Sequence, residues 1–195
     1  MPETRPVLTD PDVLETLAHP VRLDVLTYLI ADGPATASQC ARAVGDTPSN
    51  CSYHVRMLAR HGLVEPVASS DGRTRPWRAT ITGFAIEPDP DPDTPGGRGA
   101  AAVMAASVAS DQRRLRDYLE HRDKVSSSWR EADVYSGYTL RITPRELERL
   151  ATQLDALIRP LIAVLREDPP AGAELVTLGL SAFPHQEPRW RRPAP

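Results

Sequence analysis

The stretch that decides the fold is SNCSYHVRMLARHGLV, residues 49–64. In front of it, Pro48 suits the first position of a helix and Thr47 can cap the helix amides. Behind it, Gly62 suits a left-handed C-terminal cap. The pattern therefore predicts a helix over residues 48–61 with an apolar rear face. The side chains expected to face inward are Val55, Leu58 and, beyond the glycine, Leu63.

The other side of this predicted helix carries short or planar hydrogen-bonding groups. Such groups can reach base edges and phosphates, so the pattern is typical of a DNA recognition helix. The candidate DNA contacts at and within this helix are Thr47, Ser49, Asn50, Ser52, Tyr53, His54, Arg56 and Arg60.

The flanking sequence predicts the rest of a winged helix-turn-helix domain. Upstream, residues 14–34 have the apolar spacing of two helices, the second entered through Pro20. A short helix is predicted over residues 36–44, because Thr36 and Gln39 can form a capping box. Residues 63–82 then predict two strands around Asp71-Gly72, a strong hairpin signal.

Positive charge is concentrated where DNA would lie. The formal net charge of the chain is −3, yet residues 42–80 hold six arginines against three carboxylates. We expect the hairpin, a basic wing over residues 65–82, to contact DNA as well. The candidate contacts on the wing are Arg73, Arg75 and Arg78. A patch of this size predicts moderate non-specific affinity with clear salt dependence.

With these landmarks the chain resembles the ArsR-type winged-helix transcriptional regulators over about residues 10–86. The resemblance is carried by LETLAHPVRLDVLTYL, by SQCARAVGDTPSNCSYHVRMLARHGLVEP and by the glycine-arginine wing. It implies that residues 49–60 lie in the major groove, with Ser52, Tyr53, His54 and Arg56 in the family's most characteristic segment. It also implies that Arg73 and Arg75 lie at phosphates or in the minor groove.

The sequence departs from the metal-sensing members of that family. Those members carry a Cys-x-Cys motif in the helix before the recognition helix, whereas Cys40 stands alone here. A thiolate metal site is therefore not expected. Cys40 and Cys51 are expected to act as small buried apolar side chains and to fit a reducing cytoplasm.

The chain length and its composition shifts predict an ordered series of segments. The predicted divisions are a flexible N-terminus at 1–9, the winged helix-turn-helix domain at 10–86, a Pro/Asp/Gly linker at 87–99, a dimerisation or effector region at 100–183 and a disordered tail at 184–195. No apolar run is long enough to span a membrane, and the polar N-terminus lacks the features of a secretory signal. We therefore expect a cytoplasmic protein.

The C-terminal half predicts helix, strand, helix, strand. A long helix is predicted from residue 100 to about 124, strands at 137–142 and 176–182, and between them a helix that opens with a capping box at Thr143 and bends near Pro160. The expected fold is thus mostly α with small β, an α+β class. One stripe of the long helix is expected to form a dimer, or alternatively to pack on its own domain: Met104, Val108, Leu115 and Leu119.

Candidates for chemistry are few. Trp129, Tyr135 and Tyr138 are the aromatic cluster of the second half and are expected to line a ligand pocket or to be ordinary core. Asp117 and His121 are expected to be a solvated charged face and not metal ligands. No nucleophile elbow, phosphate loop or zinc-hydrolase motif occurs, so neither enzymatic activity nor a metal or cofactor is expected.

These features together predict a dimeric transcriptional regulator that binds double-stranded DNA. The most consistent hypothesis is a repressor that binds an inverted repeat and releases it when a small-molecule effector changes the spacing of the two recognition helices. The alternatives are a winged-helix protein-interaction module without operator binding, or a regulator that senses a small organic ligand in its C-terminal region.

Overall fold

The structure is a computed structural model and describes residues 6–68, 75–86, 91–162, 166 and 168–184. Its elements in chain order are β1 (Val7–Leu8), α1 (Pro11–Leu17), α2 (Pro20–Asp32), α3 (Ala37–Val44), α4 (Pro48–Arg60), β2 (Val64–Pro66), β3 (Trp77–Ala79), β4 (Ala85–Ile86), α5 (Pro95–His121), a 3₁₀ turn (Arg122–Lys124), α6 (Ser127–Ala132), α7 (Pro144–Ile158) and a second 3₁₀ turn (Arg159–Leu161). The predicted class, mostly helical with small sheets, is confirmed.

The helix starts follow from local capping chemistry. Thr36 and Gln39 form the predicted capping box of α3, and the Thr47 hydroxyl accepts from the backbone N–H of Asn50 at 3.2 Å, as predicted for α4. The helix ends are likewise determined by local backbone geometry. Gly45 and Gly62 lie at φ of 71° and 69°, the left-handed region that disfavours a side chain. The turn between α3 and α4 is therefore as tight as a helix-turn-helix requires.

The core lies between α1, α2, α3, α4 and the first half of α5. It joins apolar side chains that the 3.6-residue period placed on the inward faces. Its most deeply buried members are Leu14, Leu17, Val25, Leu26, Leu29, Cys40, Cys51, Val55, Leu58 and Val103. The rear face predicted for α4 is confirmed by the burial of Val55 and Leu58, and Leu63 beyond the glycine is buried too.

The wing is an antiparallel pair formed by β2 and β3. Glu65 pairs with Arg78 in its register, and a single bridge joins Trp77 to Ala35 in front of α3. The wing is thereby tied to the helix-turn-helix. The predicted hairpin turn, at residues 71–72, lies outside the described residues.

A second, parallel pair joins β1 to β4 and was not predicted. Val7 pairs with Ala85 and Leu8 with Ile86, so these two residues of the expected flexible N-terminus are ordered against the chain that follows the wing. A two-residue strand has no measurable periodicity, and its partner lies far away in sequence. Local patterns therefore could not identify it.

Helix α5 begins earlier than predicted. Thr94 caps it through the N–H of Gly97 at 2.9 Å, so Pro95 opens a helix inside the segment expected to be a linker. One face of α5 then packs on α1 and α2 through small residues. Its buried residues are Gly97, Ala100, Val103, Ala106 and Ser110. A Cβ at Gly99 would lie only 2.9 Å from that of Leu14, so glycine permits the close approach.

The two strands predicted in the C-terminal half are wrong. Residues 133–143 and 173–184 have no assigned strand and their side chains are exposed. Alternating apolar residues need a partner strand and a covering layer to form a sheet, and the described part of this chain supplies neither. Helix α7 is confirmed with its capping box of Thr143 and Glu146, but it ends at Ile158 and gives way to a 3₁₀ turn instead of bending at Pro160.

Candidate nucleic-acid interface

The front of α4 is an exposed polar surface of the helix-turn-helix domain. The rear of α4 is held by its packing against α2 and α3, so its front points away from the core. Tyr53 is 50% exposed there. The exposed members of the predicted set on α4 are Ser49, Asn50, Tyr53, Arg56 and Arg60, and Ser52 is half-buried.

The beginning of α4 is organised by Asp46, which the sequence analysis did not single out. Its Oδ1 accepts from the backbone N–H of Thr47 at 2.6 Å. Its Oδ2 accepts from the Asn50 side-chain amide at 2.6 Å. Asn50, a candidate base contact, is therefore held in one orientation before any ligand arrives, which lowers the entropy cost of binding. Asp46 stands outside any motif spacing, so only the structure reveals this role.

Two arginines extend along the exposed face. Arg56 Nη1 donates to the Ser52 hydroxyl at 3.0 Å, one turn earlier, and Arg60 Nη1 lies 3.4 Å from the Met57 sulfur. Both contacts are exposed and join neutral partners, so the guanidinium charges stay available to phosphates or guanine edges.

The prediction that His54 contacts DNA is wrong. His54 is only 3% exposed, and its ring centroid lies 4.6 Å from that of His19 at the start of α2. It falls three residues after Cys51 and four before Leu58, so helical geometry places it on the buried stripe. Burial lowers the pKa of His54, and the positive charges of His19 and Arg22 act in the same direction.

One of the three predicted arginines of the basic wing forms an ion pair within the wing. Arg78 donates from Nε to Glu65 Oε1 at 2.7 Å, across the strand pair, so its guanidinium is already engaged within the wing. Arg75 is exposed at the start of the described second arm. Arg73 lies outside the described residues.

Both cysteines are buried thiols. Burial is the main cause that raises the pKa of Cys40 to about 11, and it raises the pKa of Cys51 as well. Both side chains are therefore protonated near neutral pH, and neither is a ready nucleophile or metal ligand.

The remaining predicted residues are exposed. The proposed dimer stripe Met104, Val108, Leu115 and Leu119 lies on a face of α5 away from the domain core, and all four side chains are exposed. Of the predicted pocket, Tyr135 and Tyr138 are 91% and 83% exposed, whereas Trp129 is half-buried. In the described part of one chain these rings do not enclose a cavity, because two of the three are almost fully exposed.

The acidic and histidine groups of α5 form no metal site within the described part of the chain. His121 Nδ1 lies 2.9 Å from the backbone oxygen of Asp117, so the pair makes a local helix contact. No cluster of three or more His, Cys, Asp or Glu side chains suited to a metal occurs among the described residues.

Comparison with known proteins agrees with this geometry. A family model described as a helix-turn-helix domain matches residues 17–67, from the end of α1 to just beyond β2. A search of curated proteins found no match to the chain. The fold and the match together show a helix-turn-helix domain in this part of the chain, and such a domain suggests a DNA-binding regulator. In the part of the chain that the structure describes, no helix combines the length and the hydropathy needed to cross a membrane.

Proposed function

We propose that the protein is an ArsR-type, dimeric transcriptional repressor of the cytoplasm that acts by binding DNA and not by catalysis. Helix α4 enters the major groove of an operator half-site, and the wing contacts the flanking phosphates. The observation that carries this proposal is the exposed front of α4, where Tyr53, Arg56 and Arg60 project from a helix whose rear is fixed in the core. Planar and cationic side chains on a rigid helix are suited to base recognition.

The second support is the division of α5 into two faces. One face packs on α1 and α2 through small residues, while the stripe from Met104 to Leu119 is exposed. An apolar stripe at helical spacing is costly to leave in water, and a second copy of the same helix would cover it. A two-fold dimer of this kind binds an inverted repeat with half-sites about 10 bp apart.

An effector would act on this dimer. The C-terminal half carries many exposed apolar side chains, among them Tyr135, Tyr138, Leu178 and Leu180. Surfaces that remain exposed in one chain can form a pocket between two. We therefore place a small organic effector between the copies, near Trp129.

The proposal is tested by selecting bound fragments from genomic DNA with the full chain. The expected result is enrichment of a few fragments that share an inverted repeat and resist competition by shuffled DNA. Recovery of no fragment would instead favour a protein-interaction module, and uniform recovery of all fragments would indicate DNA binding without sequence preference; either result would overturn the proposal.

The wing is tested on the selected operator by varying the salt concentration. Changing Arg75 to Gln should reduce the slope of log affinity against log salt by about one unit, because one phosphate contact is lost. An unchanged slope would show that this arm of the wing does not touch DNA.

A further inference from the structure

The polar contacts between α2 and α5 converge on the carboxylate of Asp24. Its Oδ2 accepts from Arg113 Nη2 at 2.6 Å. Its Oδ1 accepts from Arg114 Nη2 at 3.2 Å and from the Ser110 hydroxyl. The Asp24 side chain is only 17% exposed, and Ser110 is buried. Three donors from consecutive turns of α5 therefore hold one largely buried acceptor on α2.

This cluster stands where α5 leaves the domain. Burial along α5 ends at Ser110, although the helix continues to His121. The earlier contacts of α5 are made largely by small apolar residues, which attract without a preferred direction. Hydrogen bonds and ion pairs to Asp24 are directional. Among the described contacts, the Asp24 cluster thus lies at the end of the buried stretch of α5 and is the one best suited to fix its angle.

The angle matters because the part of α5 beyond Ser110 is long and has no buried residue. From residue 110 to residue 121 the helix extends about 16 Å at about 1.5 Å per residue. A swing of about 10° would move its end by about 3 Å, close to the roughly 3.4 Å that separates successive base pairs. This part of α5 carries Leu115 and Leu119 of the exposed stripe, while α2, on the other side of the cluster, packs on α4.

We infer that Asp24 is a positioning residue that fixes the angle between α5 and the recognition helix, and thereby sets the spacing of the two recognition helices in the dimer. The inference rests on the proposed function for its consequence at DNA, but the angle itself belongs to one chain. Loss of the Asp24 charge should leave each half-site contact intact and disturb the register between the two halves.

The angle is measured by spin labels on Ser38→Cys in α3 and Glu120→Cys near the end of α5. Cys40 and Cys51 are buried and protonated, so the two new thiols should label selectively. Labelled chains diluted into excess unlabelled chains report the distance within one chain. Asp24→Asn should shift or broaden that distance by about 3 Å or more.

The matched control is Asp111→Asn. It removes the other carboxylate bonded to Arg114, at 3.1 Å, and leaves the Asp24 contacts in place, so the distance should stay as in the parent. Arg113→Gln weakens the cluster from the α5 side and should act as Asp24→Asn does, which keeps the test valid if Asp24→Asn folds poorly. A distance unchanged in both Asp24→Asn and Arg113→Gln would overturn the inference.

The consequence at DNA is measured with single half-sites and with operators whose half-site spacing differs by one base pair. Asp24→Asn should bind a single half-site as the parent does, but lose about tenfold in affinity for the full operator or lose its preference for one spacing. A retained spacing preference and affinity would overturn the inference. If the parent chain binds no DNA at all, the proposed function fails while the label distances still decide the role of Asp24.

Discussion

At the scale of single residues, the paired imidazoles of His19 and His54 show how burial sets a chemical property. Their ring centroids lie 4.6 Å apart, and neither Nδ1 has a hydrogen-bond partner among the described residues. Burial is the main cause that lowers both pKa values from the ordinary 6.5. Burial therefore favours the neutral form of both rings over the protonated form.

This pair predicts a pH-dependent stability. The lowered pKa values mean that the folded chain binds fewer protons than the unfolded chain, so stability is complete above pH 6.5 and falls as the pH drops through the lowered values. The free energy of unfolding in urea should be lower at about pH 5.5 than at about pH 7.5. The substitution His54→Leu should reduce this difference. The control is His121→Gln, an exposed residue at the end of α5, which should show the same difference between the two pH values as the parent. If His54→Leu loses as much unfolding free energy between the two pH values as the parent does, this explanation is contradicted.

The cysteines give a second prediction at this scale. Because Cys40 and Cys51 are buried and their thiol pKa values are raised, a disulfide reagent should find no fast-reacting thiol in the native protein near neutral pH. Both thiols should react once the chain is unfolded in urea. One rapidly modified thiol in the native protein would show that the helix-turn-helix core opens locally.

At the scale of elements, the helix starts are set by side chains that satisfy free amides. Removing the capping box of α3 with Thr36→Ala should lower the free energy of unfolding by about 1 kcal/mol, because the amide of Gln39 loses its side-chain acceptor, the Thr36 hydroxyl. The matched control is Ser38→Ala, an exposed residue of the same helix. A Thr36→Ala protein as stable as Ser38→Ala would show that the box contributes nothing.

The same scale shows which elements a sequence can reveal. Caps and glycine turns act within a few residues, so α3, α4 and the first turn of α7 were predicted closely. Strands depend on distant partners. The β1–β4 pair was therefore missed, and the alternation at 137–142 predicted a strand that the described residues do not form.

The candidate site was predictable in part for a similar reason. Helical periodicity placed Ser49, Asn50, Tyr53 and Arg56 on the front of α4, where the structure exposes them. The same periodicity puts His54 on the buried stripe of Cys51 and Leu58, so the error came from assuming that a polar residue faces water. Asp46 and Asp24 act through contacts that no spacing reveals.

At the scale of the whole molecule, the prediction concerns assembly. Leu115 is already exposed in one chain, so Leu115→Asp should leave the fold of each chain intact. In a dimer built on the α5 stripe the buried carboxylate is costly, so the variant should be a monomer by light scattering and bind the full operator far more weakly. Ala102→Asp, on an exposed part of α5 outside the stripe, is the matched control. A Leu115→Asp dimer would place the interface elsewhere.

The central claim is that the front of α4 recognises a DNA sequence. The most direct measurement compares the affinity of the parent, Tyr53→Ala and Arg56→Ala for the selected operator and for a shuffled duplex at one salt concentration. Arg145→Ala, an exposed arginine of α7, controls for the loss of charge. We expect both α4 variants to lose about 1 to 3 kcal/mol on the operator and much less on the shuffled duplex, and Arg145→Ala to match the parent. Equal losses on the two duplexes, or none on either, would contradict the claim.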